Sequence, residues 1–242
     1  MEEKTRGIVL QQIKYSDSRF VVQIYTELFG RQSFMFRKPK SRKASPGINV
    51  LQPLFLLDIN MRFKENRQIQ YAKEINNNPH FTDIPFNIHK STMAIFLAEI
   101  LSKVLIEEES NPDLFNFLHH SIRLLDELED GLANFHLFFL YELSKYLGFY
   151  PESAGNEKQK LFDLSEGLYS AHDVNLKFML NAEESRLFGL LSNKGFHQIN
   201  ELTLNRTQRQ TLLNTLLDYY RYHLPEMGKL KSPEILKQIF DE

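Results

Sequence analysis

The feature that most constrains the fold is a change of hydrophobic period near residue 78. Before it, apolar and polar residues alternate with the period of two that is typical of half-buried strands, as in 20–25 and 57–64. The tract 76–79, three Asn followed by Pro, is a poor continuation for a strand. Beyond it, apolar residues recur every three to four positions, as on amphipathic helices. The pattern predicts an α+β chain with a strand domain over 1–78 and a helical domain over 79–242.

The strand domain is short and rich in turn residues. Its alternation predicts five strands, at about 5–15, 19–29, 31–37, 50–63 and 67–75. Five short strands have few ways to protect their edges, and a partly open five-stranded OB barrel is the commonest of these that also binds nucleic acid. We therefore predict an OB-fold barrel.

Apolar spacing and capping residues predict the helices of the second domain. One helix should surround residues 93–105, a second should begin with Asn111 as its N-cap and Pro112 as its first residue, and a third should cover 132–147. Two later helices are predicted from a capping box at Asn205 and Gln208 and from Ser232 followed by Pro.

Residues 149–181 hold neither period. The stretch is polar and contains two Gly, so we predict an irregular segment. Short strands are expected within it near 160–164 and 167–170.

Positive charge is concentrated at the N-terminal end of the chain. Residues 1–78 hold 14 Lys and Arg against 7 Asp and Glu, whereas residues 79–242 hold 15 against 24. Five cations occur within seven residues of one predicted loop: Arg37, Lys38, Lys40, Arg42 and Lys43. Most charge runs are solvated faces, but a basic loop on a strand domain favours contact with a phosphate backbone. Lys14, Arg19 and Arg31 would join this site if they share its face.

Aromatic residues offer two further candidates. Tyr15 or Tyr25 could stack on bases if exposed beside the cations. The third helix carries more rings than one buried stripe needs, among them Phe135 and Phe139. Core packing is the more ordinary explanation for this surplus, and an apolar groove for a partner peptide is the alternative.

Signs of catalysis are sparse. There is no Gly-rich phosphate loop, and the adjacent His119 and His120 project about 100° apart on a helix, so they do not converge on a metal. The acidic runs 107–109 and 126–130 are typical of solvated faces. A nuclease or phosphatase is therefore disfavoured, and no cofactor is predicted.

The absence of Cys excludes disulfides and Cys-ligated zinc. With no signal peptide pattern or membrane span, we expect a cytoplasmic protein.

Several short segments, in order, resemble a known family. They are Thr5 to Leu10, Tyr25-Thr26-Glu27 with Gly30, the basic loop, Leu51 to Leu54, Tyr219 to Leu224, and Leu230 to Ser232. Together they resemble the RecO family of bacterial recombination mediators over nearly the whole chain. One departure is clear: many members carry a four-Cys zinc segment where this chain has none, and residues 162–169 look like its remnant. Zinc binding is therefore not carried over.

The resemblance implies a non-enzymatic DNA-repair protein. Such a protein binds single- and double-stranded DNA, anneals complementary strands, and acts with RecR to load RecA onto strands coated by single-stranded DNA-binding protein, SSB. The acidic C-terminal tail of SSB is an expected partner of the helical domain. Its predicted contacts are the rings of Phe135 and Phe139 and the cations of Arg123 and Lys145.

A second hypothesis stays open from the residues themselves. An RNA-binding or translation-associated OB protein, with the helical domain as a scaffold, would carry the same basic loop. Annealing of SSB-coated strands separates the two, because a mediator accelerates it and a plain binder does not.

Overall fold

The computed structural model describes residues 2–37, 50–153, 160–170, 177–192 and 194–240. Contacts between residues divide the chain into two compact units. The first consists of Met1–Glu127 and Leu230–Leu236, and the second of Leu128–Lys229 and Lys237–Glu242. The predicted boundary at residue 78 falls inside the first unit, where strands give way to helices, and it remains a prediction.

The first unit opens with a five-stranded sheet. Its strands are β1 (Glu3–Lys14), β2 (Arg19–Thr26), β3 (Gly30–Arg37), β4 (Leu56–Met61) and β5 (Ala72–Asn77). They lie in the order β3-β2-β1-β4-β5, and every neighbouring pair is antiparallel. A parallel bridge between Phe34 of β3 and Gln70, just before β5, brings the two edges of the sheet together. The result is the predicted OB-like barrel.

The alternating apolar side chains of β2 and β4 fill the interior of the barrel. Phe20, Val22 and Ile24 are buried on one face of β2, and the alternating apolar residues of β4 are buried opposite them. The barrel core is made of Val9, Phe20, Val22, Ile24, Phe34, Leu51, Phe55, Leu57, Ile59 and Met61. Removing this apolar surface from water is the main term that stabilises the barrel, at roughly 25 cal/mol per Å².

Several strand boundaries were predicted wrongly, and two of them have a clear physical cause. The fourth strand begins at residue 56 instead of 50, because Pro53 and the positive φ of Leu54 (61°) interrupt the extended chain. The fifth strand continues through Asn76 and Asn77, which pair with Asp58 and Leu57 of β4. Pairing with a neighbouring strand has overridden the low strand propensity of Asn.

Two helices follow the barrel within the first unit, α1 (Ile88–Val104) and α2 (Pro112–Glu127). The Asn111 side chain accepts a hydrogen bond from the Leu114 N–H at 3.1 Å, which confirms the predicted N-cap of α2. The segment that leads into α1 is held by Asp126, whose carboxylate accepts three backbone N–H bonds from residues 82–84 at 2.7 to 3.0 Å. Burial raises the pKa of Asp126, but these N–H groups outweigh it and hold the pKa below its ordinary value.

The second unit is mainly helical. It contains α3 (Phe135–Tyr146), β6 (Leu161–Asp163), β7 (Leu168–Ser170), α4 (Ala182–Ser192) and α5 (Arg206–His223), with short 3-10 helices between them. The last helix of the chain, α6, spans Ser232–Phe240. The predicted capping box of α5 is present, and the two predicted short strands are present as β6 and β7, which pair as a hairpin.

Helix α4 was missed by the sequence reasoning. A capping box at its start, in which Asn181 and Glu184 exchange hydrogen bonds of 3.1 and 2.9 Å, is the signal that could have found it.

Candidate nucleic-acid interface

One end of the barrel is cationic because of the register between β2 and β3. Arg19 at the start of β2 lies directly opposite Arg37 at the end of β3, and both side chains are exposed. Two like charges directly across a strand pair repel each other. Among the described residues, neither guanidinium has a carboxylate within salt-bridge distance. A phosphate between them would relieve this repulsion.

Lys14 and Tyr15 lie at the same end of the barrel. Lys14 ends β1 and is exposed, with its Nζ 3.1 Å from the Asp17 carboxylate. Tyr15 follows it in the hairpin, where its N–H donates to the Arg19 carbonyl at 3.2 Å, and its side chain is 61% exposed. The structure therefore places Lys14, Arg19, Arg37 and an exposed ring at the same end of the barrel.

The predicted loop contains four further cations. Lys38, Lys40, Arg42 and Lys43 lie outside the described residues. Arg37, at the cationic end, is the last described residue before them in the sequence.

Arg31 does not belong to this end, which corrects the expectation that it shares the site. It lies at the opposite end of β3, where its Nη1 donates to the carbonyls of Ser102 and Leu105 at 3.3 Å each. These carbonyls are at the C-terminal end of α1, where a cation is favoured by the helix dipole. Arg31 thus fastens α1 to the barrel.

Tyr25 also has a structural role. It is buried, and its ring stacks on Phe115 of α2 with centroids 6.3 Å apart. Burial, reinforced by the charge of Glu107, raises its pKa to about 12. Of the two tyrosines considered as base-stacking residues, only Tyr15 is on the surface.

Three exposed cations were missed by the sequence reasoning. Arg62, Lys64 and Arg67 lie between β4 and β5, and all are exposed. Three cations within the six residues 62–67 are the signal that could have found them.

The predicted partner-binding residues divide between the two units. Arg123 belongs to the first unit and is exposed, 3.2 Å from Glu127 on the same helix. Lys145 belongs to the second unit and is exposed as well. Phe135 and Phe139, however, are wholly buried within the second unit. This corrects the expectation that their rings line an open groove, because they pack in the core of their own unit.

The hairpin of β6 and β7 covers the residues that the sequence resemblance interpreted as a remnant of a zinc segment. Its Phe162 ring is buried against Phe188 of α4 and Tyr219 of α5, with centroids 4.5 and 5.7 Å away. The Asp163 carboxylate accepts the backbone N–H of Ser165 at 2.7 Å. Aromatic packing and a local cap therefore hold this hairpin. In the part of the chain that the structure describes, no three His, Asp or Glu residues form a group that could bind a metal ion.

Within the described ranges, no helix is both long enough and apolar enough to cross a membrane.

A closed five-stranded barrel with exposed cations at one end, followed by helices, defines the class of OB-barrel proteins with a helical C-terminal part. Family models match both parts: Recombination protein O N terminal over residues 1–77, and Recombination protein O C terminal over residues 85–234. The chain belongs to the RecO family of DNA repair and recombination proteins.

Relatives match over the full length of the chain. A protein named DNA repair protein RecO from Bacteroides fragilis is 37% identical over 100% of both chains. One of the same name from Flavobacterium psychrophilum is 38% identical over 99% of this chain and 100% of its own, and one from Porphyromonas gingivalis is 31% identical over 98% of each.

Proposed function

We propose that the protein binds single- and double-stranded DNA through the cationic end of its barrel, anneals complementary strands, and helps load RecA onto SSB-coated DNA together with RecR. It would do so without catalysing a reaction, in the cytoplasm. The observation that carries the proposal is the opposed pair Arg19 and Arg37, two exposed guanidinium groups with no described carboxylate to neutralise them, in a chain of the RecO family.

The physical case rests on the kind of contact that the cationic end offers. Exposed Arg and Lys side chains bind phosphates of any sequence, and this suits a protein that must handle whichever strands are broken. Both strands to be paired are polyanions that repel each other, so a cationic surface that holds one while the other approaches favours annealing. Lys38, Lys40, Arg42 and Lys43 are proposed to extend this surface.

The test is an annealing assay with two complementary oligonucleotides, each coated with SSB. The protein is expected to accelerate pairing of the coated strands, and the Arg19→Gln, Arg37→Gln double variant is expected to lose most of this acceleration. Arg31→Gln is the matched control, because it removes one guanidinium from the other end of the same strand. Wild-type protein that binds both bare strands without accelerating their pairing when coated would contradict a mediator role.

We also propose that the acidic tail of SSB binds this protein through surface cations, with Arg123 and Lys145 as candidates. Both are exposed, whereas Phe135 and Phe139 are buried and no longer belong to the proposed contact. A labelled tail peptide should bind the full chain. Arg123→Gln and Lys145→Gln, tested separately, identify which unit carries the contact, and equal affinity in both variants would remove these two residues from it.

A further inference from the structure

Tyr71 combines an exposed ring with a fixed backbone. Its side chain is 54% exposed. The residue before it, Gln70, is tied to β3: its N–H donates to the Ser33 carbonyl at 2.7 Å, and its carbonyl accepts from the Met35 N–H at 3.1 Å. The residue after it, Ala72, pairs with Met61 of β4. The ring therefore projects into solvent from backbone that is held on both sides.

Gln70 also shapes the turn beside this ring. Its side chain is almost fully buried, and its amide nitrogen donates to the carbonyls of Lys64 and Arg67 at 2.8 and 3.0 Å. Its amide oxygen accepts from the Lys64 N–H at 3.3 Å. One buried amide thus makes three hydrogen bonds to the backbone of the turn, so the turn is bound to the barrel.

The turn places a cation beside Tyr71 and carries two more. The guanidinium of Arg67 lies 6.0 Å from the centre of the Tyr71 ring, and Arg62 and Lys64 are exposed on the same connection between β4 and β5. Among the described residues, none of these three cations has a carboxylate within salt-bridge distance. A planar group that enters beside the ring would meet both a π face and cations.

The register of the barrel places the backbone of Tyr71 beside β3, the strand that ends in Arg37. Gln70 is bridged to Phe34 in parallel, and both side chains are buried, so Tyr71 and Met35 follow them on the outward side. Arg37 is two residues beyond Met35 on the same side of β3, about 7 Å along the strand. A chain of phosphates bound at Arg19 and Arg37 would pass close to the Tyr71 ring.

We infer that Tyr71 is a stacking platform for an unpaired base of single-stranded DNA, and that Gln70 is the residue that positions it. An isolated exposed aromatic side chain is ordinary. What distinguishes Tyr71 is that its backbone is already ordered and its neighbours are cations, so little conformational freedom is lost when a base stacks on it. The inference rests on the proposed DNA binding and adds to it a contact that depends on bases.

The chain provides a clean probe, because it contains no Trp. In a Tyr71→Trp variant of the full chain, the only indole reports on position 71. Its emission should be quenched by a single-stranded oligo-dT of 15 nucleotides and should be unaffected by an oligonucleotide of the same length made entirely of abasic sites. Phe86→Trp is the control, since Phe86 is the most exposed aromatic residue described, at 83%, and lies on the segment between barrel and α1. Its emission should respond to neither oligonucleotide.

Affinity measurements separate stacking from phosphate contact. Tyr71→Ala should weaken binding of oligo-dT by about fivefold or more, the lower range for loss of one base-aromatic stack, and should leave binding of the abasic strand unchanged. Gln70→Met, which keeps the side-chain volume without the hydrogen bonds, should give the same pattern. If Gln70 had a purely structural role, Gln70→Met would instead weaken the binding of both oligonucleotides by the same factor.

Each outcome decides a different claim. If the wild type binds neither strand, the proposed DNA binding fails and this inference fails with it. If the wild type binds both strands but Tyr71→Ala loses nothing on oligo-dT, or loses as much on the abasic strand, DNA binding stands and the stacking platform is wrong. Quenching of the Tyr71→Trp variant by the abasic strand would also overturn it.

Discussion

The two ends of the barrel use the same residue type in opposite ways. At the end where β2 turns into β3, Arg6 forms a bidentate pair with Glu27 at 2.6 and 2.8 Å, and Arg31 donates to carbonyls of α1. At the other end, Arg19 and Arg37 face each other with no described carboxylate. Arginine is therefore a structural fastener at one end and an available cation at the other.

The surroundings of the first end reinforce this contrast. The Arg31 N–H donates to the Glu107 carbonyl at 2.9 Å, which brings the acidic run 107–109 against the β2–β3 turn. Three carboxylates there repel a phosphate backbone, whereas the opposite end attracts it. The barrel thus has a charge polarity that would confine a bound strand to the end carrying Arg19 and Arg37.

Charge reversal at the cationic end should have the largest effect. Arg19→Glu with Arg37→Glu should weaken binding of single-stranded DNA by more than about 100-fold at 0.1 M salt, because each lost phosphate contact accounts for about 0.7 log units per decade of salt and each carboxylate adds repulsion. Fluorescence anisotropy of a labelled oligonucleotide measures this. A loss below about tenfold would show that the strand lies elsewhere on the protein.

Arg31→Gln should lower stability without lowering DNA affinity. It removes charge-assisted hydrogen bonds to two carbonyls, so the free energy of unfolding should fall by roughly 1.5 to 3 kcal/mol, while affinity for DNA stays the same. Arg37→Gln is the matched variant on the same strand and should lower affinity with little change in stability. Urea unfolding and anisotropy on both variants test the pair. If Arg31→Gln reduced affinity as much as Arg37→Gln, the division between the ends would be wrong.

A change of pH should alter the stability of the second unit without altering DNA binding at the cationic end. Burial, with a smaller effect from the charge of Arg209, lowers the pKa of His136 in α3 from its ordinary 6.5 to about 3. Below pH 6.5 the unfolded chain therefore binds a proton that the folded chain does not. The contribution of His136 to stability is fully present above pH 6.5 and is lost progressively as the pH falls toward 3.

Between pH 7.5 and 5, this group should lower the free energy of unfolding by about 2 kcal/mol, at about 1.36 kcal/mol per pH unit below 6.5. DNA affinity at pH 6 should match that at pH 7.5, because arginines keep their charge. Urea unfolding at pH 7.5 and pH 5, with His136→Gln as the comparison, measures the loss of stability. An equal loss in the variant would assign it to other groups.

The contrast between Arg31 and Arg37 also shows which features can be predicted from local sequence. Strand alternation, the Asn111 N-cap and the Asn205 capping box depend on residues within a few positions of each other, and all three are present. Arg31 and Arg37 look alike in sequence, and they differ because the carbonyls that engage Arg31 lie 71 and 74 residues away. The role of a cation is set by such distant contacts.

The aromatic residues give a similar lesson. The surplus of rings in α3 was compatible with a groove or with a core, and Phe135 is buried because Phe196, far along the chain, packs against it at 5.4 Å. Tyr71 carries no signal in its local pattern, since its fixed backbone depends on the pairing of Gln70 with β3. Periodicity identifies elements, but tertiary packing decides which side chains stay on the surface.

The salt dependence of binding tests the central claim most directly. For single-stranded DNA, the slope of log affinity against log salt should flatten by about 1.4 in the Arg19→Gln, Arg37→Gln double variant, since each phosphate contact contributes about 0.7. The slope of Arg31→Gln should equal that of the wild type. A double variant with the wild-type slope would contradict the account, because it would mean that no phosphate is bound between these two arginines.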